Sequence, residues 1–239
     1  FCLSRGLGDV YKRQRIKKAY ESRDPRLQMA VITPYAQYNG ASSGIAHTYT
    51  LRWPYRGSDS AEPFDIRTDT NDKFYYLWRK FVPEGLEQTE RDTYGLDIPL
   101  IRYAEVLLLK AEALNEWGST HESEAIRCVN EVRRRAGHVE LNNATYPATK
   151  VNGQSDLRER IRNEYYWEIG GEDSMYFHEL RWGTWKDKKF DNNRNGLMQM
   201  WGETTYTWYW LGDQCWSWPI PAKEMEMNSN LEQNEGWIN

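Results

Sequence analysis

The sharpest pattern along the chain lies between Asp97 and Gly137. Leu100, Ala104, Leu107, Leu108, Ala111 and Leu114 recur at the spacing of one helical face. Val106, Leu109, Ala113 and Trp117 form a second apolar stripe roughly opposite. Only a narrow wedge with Glu105, Glu112 and Glu116 stays polar. Asp97 is the expected N-cap, Pro99 falls in the first turn, and Gly118 follows the last one. A helix apolar on two sides is expected to pack on two sides, as in stacked helical hairpins.

A second helix is expected to begin at once. Ser119 and Glu122 have capping-box spacing. Ala125, Cys128, Val129, Val132 and Ala136 make one stripe, Arg127, Glu131 and Arg134 lie outside it, and Gly137 ends the element. A short turn between two amphipathic helices implies an antiparallel hairpin. Its length suits a tetratricopeptide-like unit, although that repeat's consensus is not met position by position. Leu157, Ile161, Tyr165 and Ile169 mark a third helix, broken by Gly170 and Gly171, and residues 175–182 a short fourth.

Elsewhere the period is lost. Residues 15–23 read as the end of a helix, and Asp24-Pro25-Arg26-Leu27 as a turn or extended segment. Residues 31–72, dense in Gly, Ser, Pro and Asp, read as loop with short strands. Residues 73–82 fit a strand or a short helix, closed by Pro83. Residues 183–215 are irregular; in an extended TYTWYW string, Trp208 and Trp210 share one face and Tyr209 takes the other. Pro219 and Pro221 mark an extended tail. The fold class is mainly α: a helical-hairpin, tetratricopeptide-like scaffold with long irregular loops and a few short strands.

The 239 residues allow a sizeable core. No apolar run approaches the roughly 18 residues of a membrane helix. A net charge of −4 with both signs interspersed offers no basic patch for nucleic acid. The outlier is aromatic content, with 12 Trp, 16 Tyr and 6 Phe. Core and interface packing is one reading. The other is a sugar-binding surface, because the C–H face of a pyranose suits the negative face of an aromatic ring, and flat rings lose little entropy on binding. The candidate contacts are Trp53 and Tyr55 in the 31–72 loop, with Trp201, Trp208, Tyr209 and Trp210 in the 183–215 loop.

Chemistry for catalysis is hard to find. No HExxH, GxSxG, P-loop or paired CxxC occurs. His47, His121, His138 and His178 lie in different segments, none at a ligand spacing. Asp65, Asp69, Asn71 and Asp72 are rich in oxygen ligands but lack the order and glycine of an EF-hand. Asn143-Ala144-Thr145 is a glycosylation sequon on paper only. A glycosidase needs two carboxylates about 5–9 Å apart, yet Glu105, Glu112 and Glu116 read as a solvated or salt-bridged face. No catalytic residue, metal or cofactor is therefore expected. Cys128 reads as an ordinary core thiol, Cys215 beside Trp216 is left open, and the two make no disulfide framework.

Residues 1–14 match no downstream pattern and resemble translated sequencing-adapter strings. They are set aside as non-native, as an expression tag would be, leaving 15–239 as the domain. Cys2 does not read as a lipidation site, since no charged or apolar leader precedes it.

Several strings carry a family resemblance. Asp24 to Leu27 spell DPRL, and Lys80-Phe81-Val82-Pro83 ends a strand-like run. Pro99, Arg102, Tyr103, Ala104, Glu105, Leu108, Ala111, Glu112, Ala113, Asn115 and Glu116 sit in one helix. Asn130, Val132, Arg133, Arg135, Ala136 and Gly137 close the next, and a PIP…E…N…L.QN.GW tail runs from Pro219 to Trp237. Together they resemble the SusD/RagB family, the surface glycan-binding lipoproteins of Bacteroidota. The resemblance implies the C-terminal portion of a SusD-like domain whose N-terminal half is missing, with loops on a helical frame presenting the ligand site. It also implies non-catalytic capture of an oligosaccharide or similar nutrient and delivery to a SusC-like TonB-dependent transporter. The place would be the cell outer membrane, surface-exposed, reached only through a lipid anchor in the missing N-terminal part. A helical-repeat protein-interaction scaffold and a glycoside hydrolase are the alternatives.

One segment departs from the family. Glu164, Glu168, Glu172, Leu180, Arg181, Trp182 and Gly183 hold their places, but Tyr165 and Met175 stand where arginines are usual and Asp173 where a glycine is. The internal Arg–carboxylate pairing that the family makes from those positions is therefore expected to be absent, which bears on local stability more than on function.

Overall fold

The computed structural model describes residues 14–21, 23–42, 44–51, 65–66, 77–85, 97–172, 174–190 and 210–237. The chain divides into two compact units, Phe1–Met175 and Tyr176–Asn239.

The first unit opens with helix α1 (residues 14–21) and a short α2 (Pro25–Ala30). The Asp24–Leu27 string is thus a helix start rather than a turn or extended segment. Asp24 accepts a hydrogen bond from the Arg26 backbone N–H, and Pro25 in the first turn has no N–H to leave unpaired. Short strands follow as expected. β1 (Val31–Ile32) pairs antiparallel with β5 (Leu77–Trp78), so the 73–82 run is a strand at its centre. β2 (Gln37–Ser42) and β3 (Ile45–Leu51) form a hairpin with Gln37 opposite Thr50, and β4 (Asp65–Ile66) adds parallel to the end of β3. Ile32, Tyr38 and Leu51 make a small core here, with Ala36, Tyr49 and Leu77 against it.

Helix α3 (Tyr103–Trp117) begins at Tyr103 and not near Asp97. Pro99 disfavours a helical residue before it. Arg102, with extended backbone, stands at the N-cap, its side chain committed elsewhere. Leu100 consequently lies outside the helix and in solvent. The inner stripe of Leu107, Leu108, Ala111 and Leu114 is buried. The second stripe is not: Val106 is 47% exposed, Leu109 41% and Trp117 75%. The expectation of packing on both sides fails among the described residues. Glu105, read as part of a solvated wedge, is instead buried.

A 3-10 turn at Ser119–His121 leads into α4 (Glu122–Arg135). The Ser119–Glu122 capping box is not realised; His121 occupies the N-cap with no side-chain cap bond. The other end follows its sequence. Gly137 takes a left-handed φ of 70°, its N–H bonds the Arg134 carbonyl, and the His138 N–H bonds the Arg133 carbonyl. That is a Schellman closure, and it needs glycine. Helix α5 (Gln154–Ile169) packs on both α3 and α4, burying Leu157, Ile161, Tyr165 and Ile169. Cys128 is a core thiol on α4.

Three side-chain amides brace this three-helix frame and the loop after α4. The Asn115 side chain donates to the Gln154 carbonyl, and Gln154 donates back to the Asn115 carbonyl at 2.7 Å. Asn130 pairs with both backbone groups of Leu141, at 2.7 and 3.2 Å.

The carboxylates of α5 and its exit hold the unit's ionic centre. Glu164 meets Arg133 at 2.8 Å and Arg26 at 2.7 Å. Glu168 is met by Arg26, Arg102 and Arg135. Glu172 is met by Arg102 at 2.7 Å and by Lys80. Lys80 also donates to the Glu168 carbonyl, and Arg102 does the same at 3.0 Å, so two cations close the C-terminal end of α5. The carboxylates are therefore not left unpaired, although the positions where the family carries arginine do not serve them. Tyr165 and Met175 supply no guanidinium, but α2, α4 and the residue before α3 send four.

The second unit comprises most of α6 (Ser174–Arg181), then α7 (Trp185–Phe190), a 3-10 turn at Asp213–Trp216 and α8 (Ala222–Met227). The tail is extended only as far as Pro221, which caps α8. Among the described residues no helix is long and apolar enough to cross a membrane.

Candidate ligand platform in the C-terminal unit

Of the six candidate rings, the structure describes Trp210 alone. Trp53, Tyr55, Trp201, Trp208 and Tyr209 lie outside the described residues, as do the DNNRNG string and the oxygen-rich Asp69, Asn71 and Asp72. Trp210 is half-buried and enters a cluster that the sequence reading did not assemble. Its ring centroid lies 5.1 Å from that of Trp216, the planes tilted by 56°. Its indole N–H donates to Asp213 Oδ1 at 3.2 Å. The same oxygen accepts from Lys186 Nζ at 2.8 Å, and that ammonium lies 5.4 Å from the Trp210 centroid, a cation–π distance. Asp213 opens the 3-10 turn, which is entered through Gly212. At φ 139° that glycine has Gln214 Oε1 where a Cβ would stand.

The charges and rings of this cluster define what it can do chemically. Hydrogen bonds from Lys186 and then from the Trp210 indole hold the Asp213 carboxyl below the usual carboxylate range. An ionised carboxylate at neutral pH accepts hydrogen bonds from hydroxyls and has no proton to give. An ammonium, a carboxylate and two indoles side by side suit a ligand with polar rims and an apolar face. Trp218, 77% exposed, adds a ring two residues beyond Trp216.

The C-terminal tail fixes this segment from behind. Gln233 accepts from the Ile220 N–H at 2.7 Å and donates to the Ile220 carbonyl at 2.9 Å. Asn234 donates to the Trp218 carbonyl at 2.6 Å. The Trp237 indole N–H bridges the carbonyls of Gln214 and Ser217, at 3.0 and 2.8 Å. Gly236, at φ 81°, lets the chain pass Gln214, whose Cβ is 2.6 Å from where a side chain would begin. Trp216, Lys186 and Asp213 were missed because their partnership depends on the turn at Gly212. The available signal was Gly212 inside a Trp-rich run, with Gly236 beside the last Trp of the tail.

Other rings are engaged locally. Trp117 stacks on His121 at 4.2 Å, and His138 meets Trp167 edge-on. His178 stacks on Trp182 and accepts from Arg181 Nε. Asn143 bonds the Thr145 N–H in a local turn. Among the described residues, no group of three or more His, Cys, Asp or Glu is placed to hold a metal.

The comparisons with known proteins agree with this architecture. The model of the SusD family matches residues 8–237, a span that starts inside the segment set aside at 1–14. The SusD-like protein P38 of Formosa agariphila is 32% identical over 139 residues, which is 58% of this chain and 24% of that protein. The starch-binding protein SusD of Bacteroides thetaiotaomicron is 28% identical over 161 residues, 67% of this chain and 25% of that protein. In fold, the chain is similar to a SusD-like protein from Bacteroides fragilis, with a TM-score of 0.59 at 22% identity over 91% of this chain and 39% of the other. A SusD superfamily protein from Bacteroides vulgatus gives 0.57 at 21% identity, over 90% and 40%. The chain thus spans about a quarter of the length of these curated relatives. With the helical frame and a match over nearly its whole length, the chain belongs to the SusD family.

Proposed function

We propose that this chain is part of a non-catalytic glycan-binding protein of the outer-membrane surface, which captures oligosaccharides and passes them to a SusC-like TonB-dependent transporter. Family membership supports the ligand class, and one relative is named a starch-binding protein. The observation that carries the reading is the Trp210–Trp216 pair with Asp213 and Lys186 at its edge. The lowered Asp213 carboxyl makes that residue itself a poor proton donor to a glycosidic oxygen. Trp53, Tyr55, Trp201, Trp208 and Tyr209 extend the proposed contact set. Lipid anchorage and the transporter partner are proposed on the family resemblance alone.

The test is calorimetric titration with soluble oligosaccharides, maltoheptaose among them. A few ring faces imply binding between roughly millimolar and tens of micromolar. Trp210→Ala and Trp216→Ala should each weaken it, with no shortened product appearing on long incubation. Unchanged affinity in both variants removes the platform; product release that stops on changing one carboxylate points to a hydrolase.

A further inference from the structure

We infer that Gln233, Asn234 and Trp237 are positioning residues for glycan binding, a role that rests on the platform proposed above. The segment from Trp210 to Trp218 has little regular structure of its own. Between Gly212 and Ser217 it makes only the short 3-10 turn, closed by the Cys215 and Ser217 N–H groups. Four exposed or half-buried residues of this stretch, Trp210, Asp213, Trp216 and Trp218, would face a ligand. A run of this kind loses rigidity unless its carbonyls are tied down.

Three tail side chains tie three carbonyls of this segment and a fourth just beyond it. Trp237 takes the carbonyls at the middle and end of the turn, Asn234 takes the carbonyl of Trp218, and Gln233 pairs with Ile220 as a strand neighbour would. The ties are themselves braced. The Asn234 N–H donates to Gln233 Oε1, and the Trp237 N–H donates to the Asn234 carbonyl. Each tying side chain acts on backbone alone and leaves the faces of Trp216 and Trp218 uncovered by its bond. The tail therefore sets the spacing of the rings, and ordered loop geometry before binding spares the ligand the entropy of imposing it.

Trp237→Phe keeps an aromatic ring and removes the bridging N–H; Gln233→Leu keeps bulk and removes both bonds to Ile220. In ¹⁵N-labelled protein, the indole N–H signal of Trp210, identified by its loss in Trp210→Phe, should shift in both variants. Signals of the α3–α5 frame should stay in place. Affinity for the oligosaccharide that binds best to the unmodified chain should fall about five-fold, the loss expected for one modest contact. If Trp237→Phe does not fold, Gln233→Glu serves in its place, since it keeps the acceptor and loses the donor.

A Trp210 signal and an affinity that both stay put overturn the inference and leave the platform standing. A shifted signal with unchanged affinity overturns it too, reducing the tail to a structural tie. Unchanged affinity in Trp210→Ala is the separate failure of the platform itself.

Discussion

Arg133 Nη1 lies 2.8 Å from Glu164 Oε2, with the two side chains only 6% and 0% exposed. Arg133 also donates Nε to the Val139 carbonyl, so one guanidinium joins α4, the loop beyond it and α5. Glu164 keeps a second cation, Arg26, which Asp24 and Glu168 share. Desolvation of so many charges is costly, and the network repays it only while every member is matched.

Removing one member should therefore cost far more than any single contact is worth. Arg133→Met is expected to lower unfolding free energy by about 3–5 kcal/mol, because Glu164 stays buried with one partner fewer. Urea denaturation measures this. Arg134→Met, whose pair with Glu140 lies in solvent, should shift the midpoint little. Equal losses in the two variants would refute a special role for the buried centre.

Acid should dismantle the same centre. Burial alone would raise the Glu172 carboxyl, but hydrogen bonds from Arg102 and Lys80 outweigh it and hold it below its ordinary value. Asp24 is lowered in the same way, with Arg26 overcoming burial. His138 is also lowered, by burial and then by Arg133, so it resists protonation in the fold. All three groups bind protons more readily when unfolded, and each contributes stability that is lost as pH falls. The expected profile is flat near neutrality, begins to decline near pH 6.5 as His138 enters, and steepens below about pH 4.5 as Asp24 and Glu172 follow. Thermal midpoints across pH 3–8 check it; a midpoint that rises on acidification contradicts the assignment.

What the sequence made legible depended on range. The inner face of α3 and the stripe of α5 were readable because helical period is local, and Gly137 announced its own closure. The carboxylate centre was misread for the opposite reason. Tyr165 and Met175 stand near the carboxylates in sequence, while two of their actual partners, Arg26 and Arg102, stand 142 and 66 residues from Glu168. The start of α3 went wrong because Asp97 looked like a cap and Pro99 like a first turn, whereas Arg102 is the residue that changes backbone direction. Trp210 was nominated as one ring among many. Its partners were invisible because Asp213 and Trp216 reach it only through a turn at a positive-φ glycine.

Asn130 tests whether the family-like string at the end of α4 is structural. Its side chain satisfies both the N–H and the carbonyl of buried Leu141, a pairing that Asp or Leu cannot reproduce. Asn130→Leu should cost about 1–3 kcal/mol, the penalty for leaving buried polar groups unpaired. Amide exchange at Leu141 should quicken more than at Val129, in the middle of the helix. Uniform quickening would mean that the helix, not the tie, had been lost.

The outer stripe of α3 makes the last prediction. Tyr103, Val106, Leu109 and Trp117 keep apolar surface in solvent on a helix whose other side is fully packed. Apolar area grouped on one face favours association with another surface, whether a partner protein or a second copy. Leu109→Glu with Val106→Glu should therefore reduce concentration-dependent association in sedimentation velocity while moving the unfolding midpoint only slightly, since neither side chain lies in the core. Leu108→Ala, one position away and fully buried, should do the reverse: a loss of about 2–5 kcal/mol with association no weaker. If the double variant unfolds as readily as Leu108→Ala, the stripe is holding the fold together and is not a free surface.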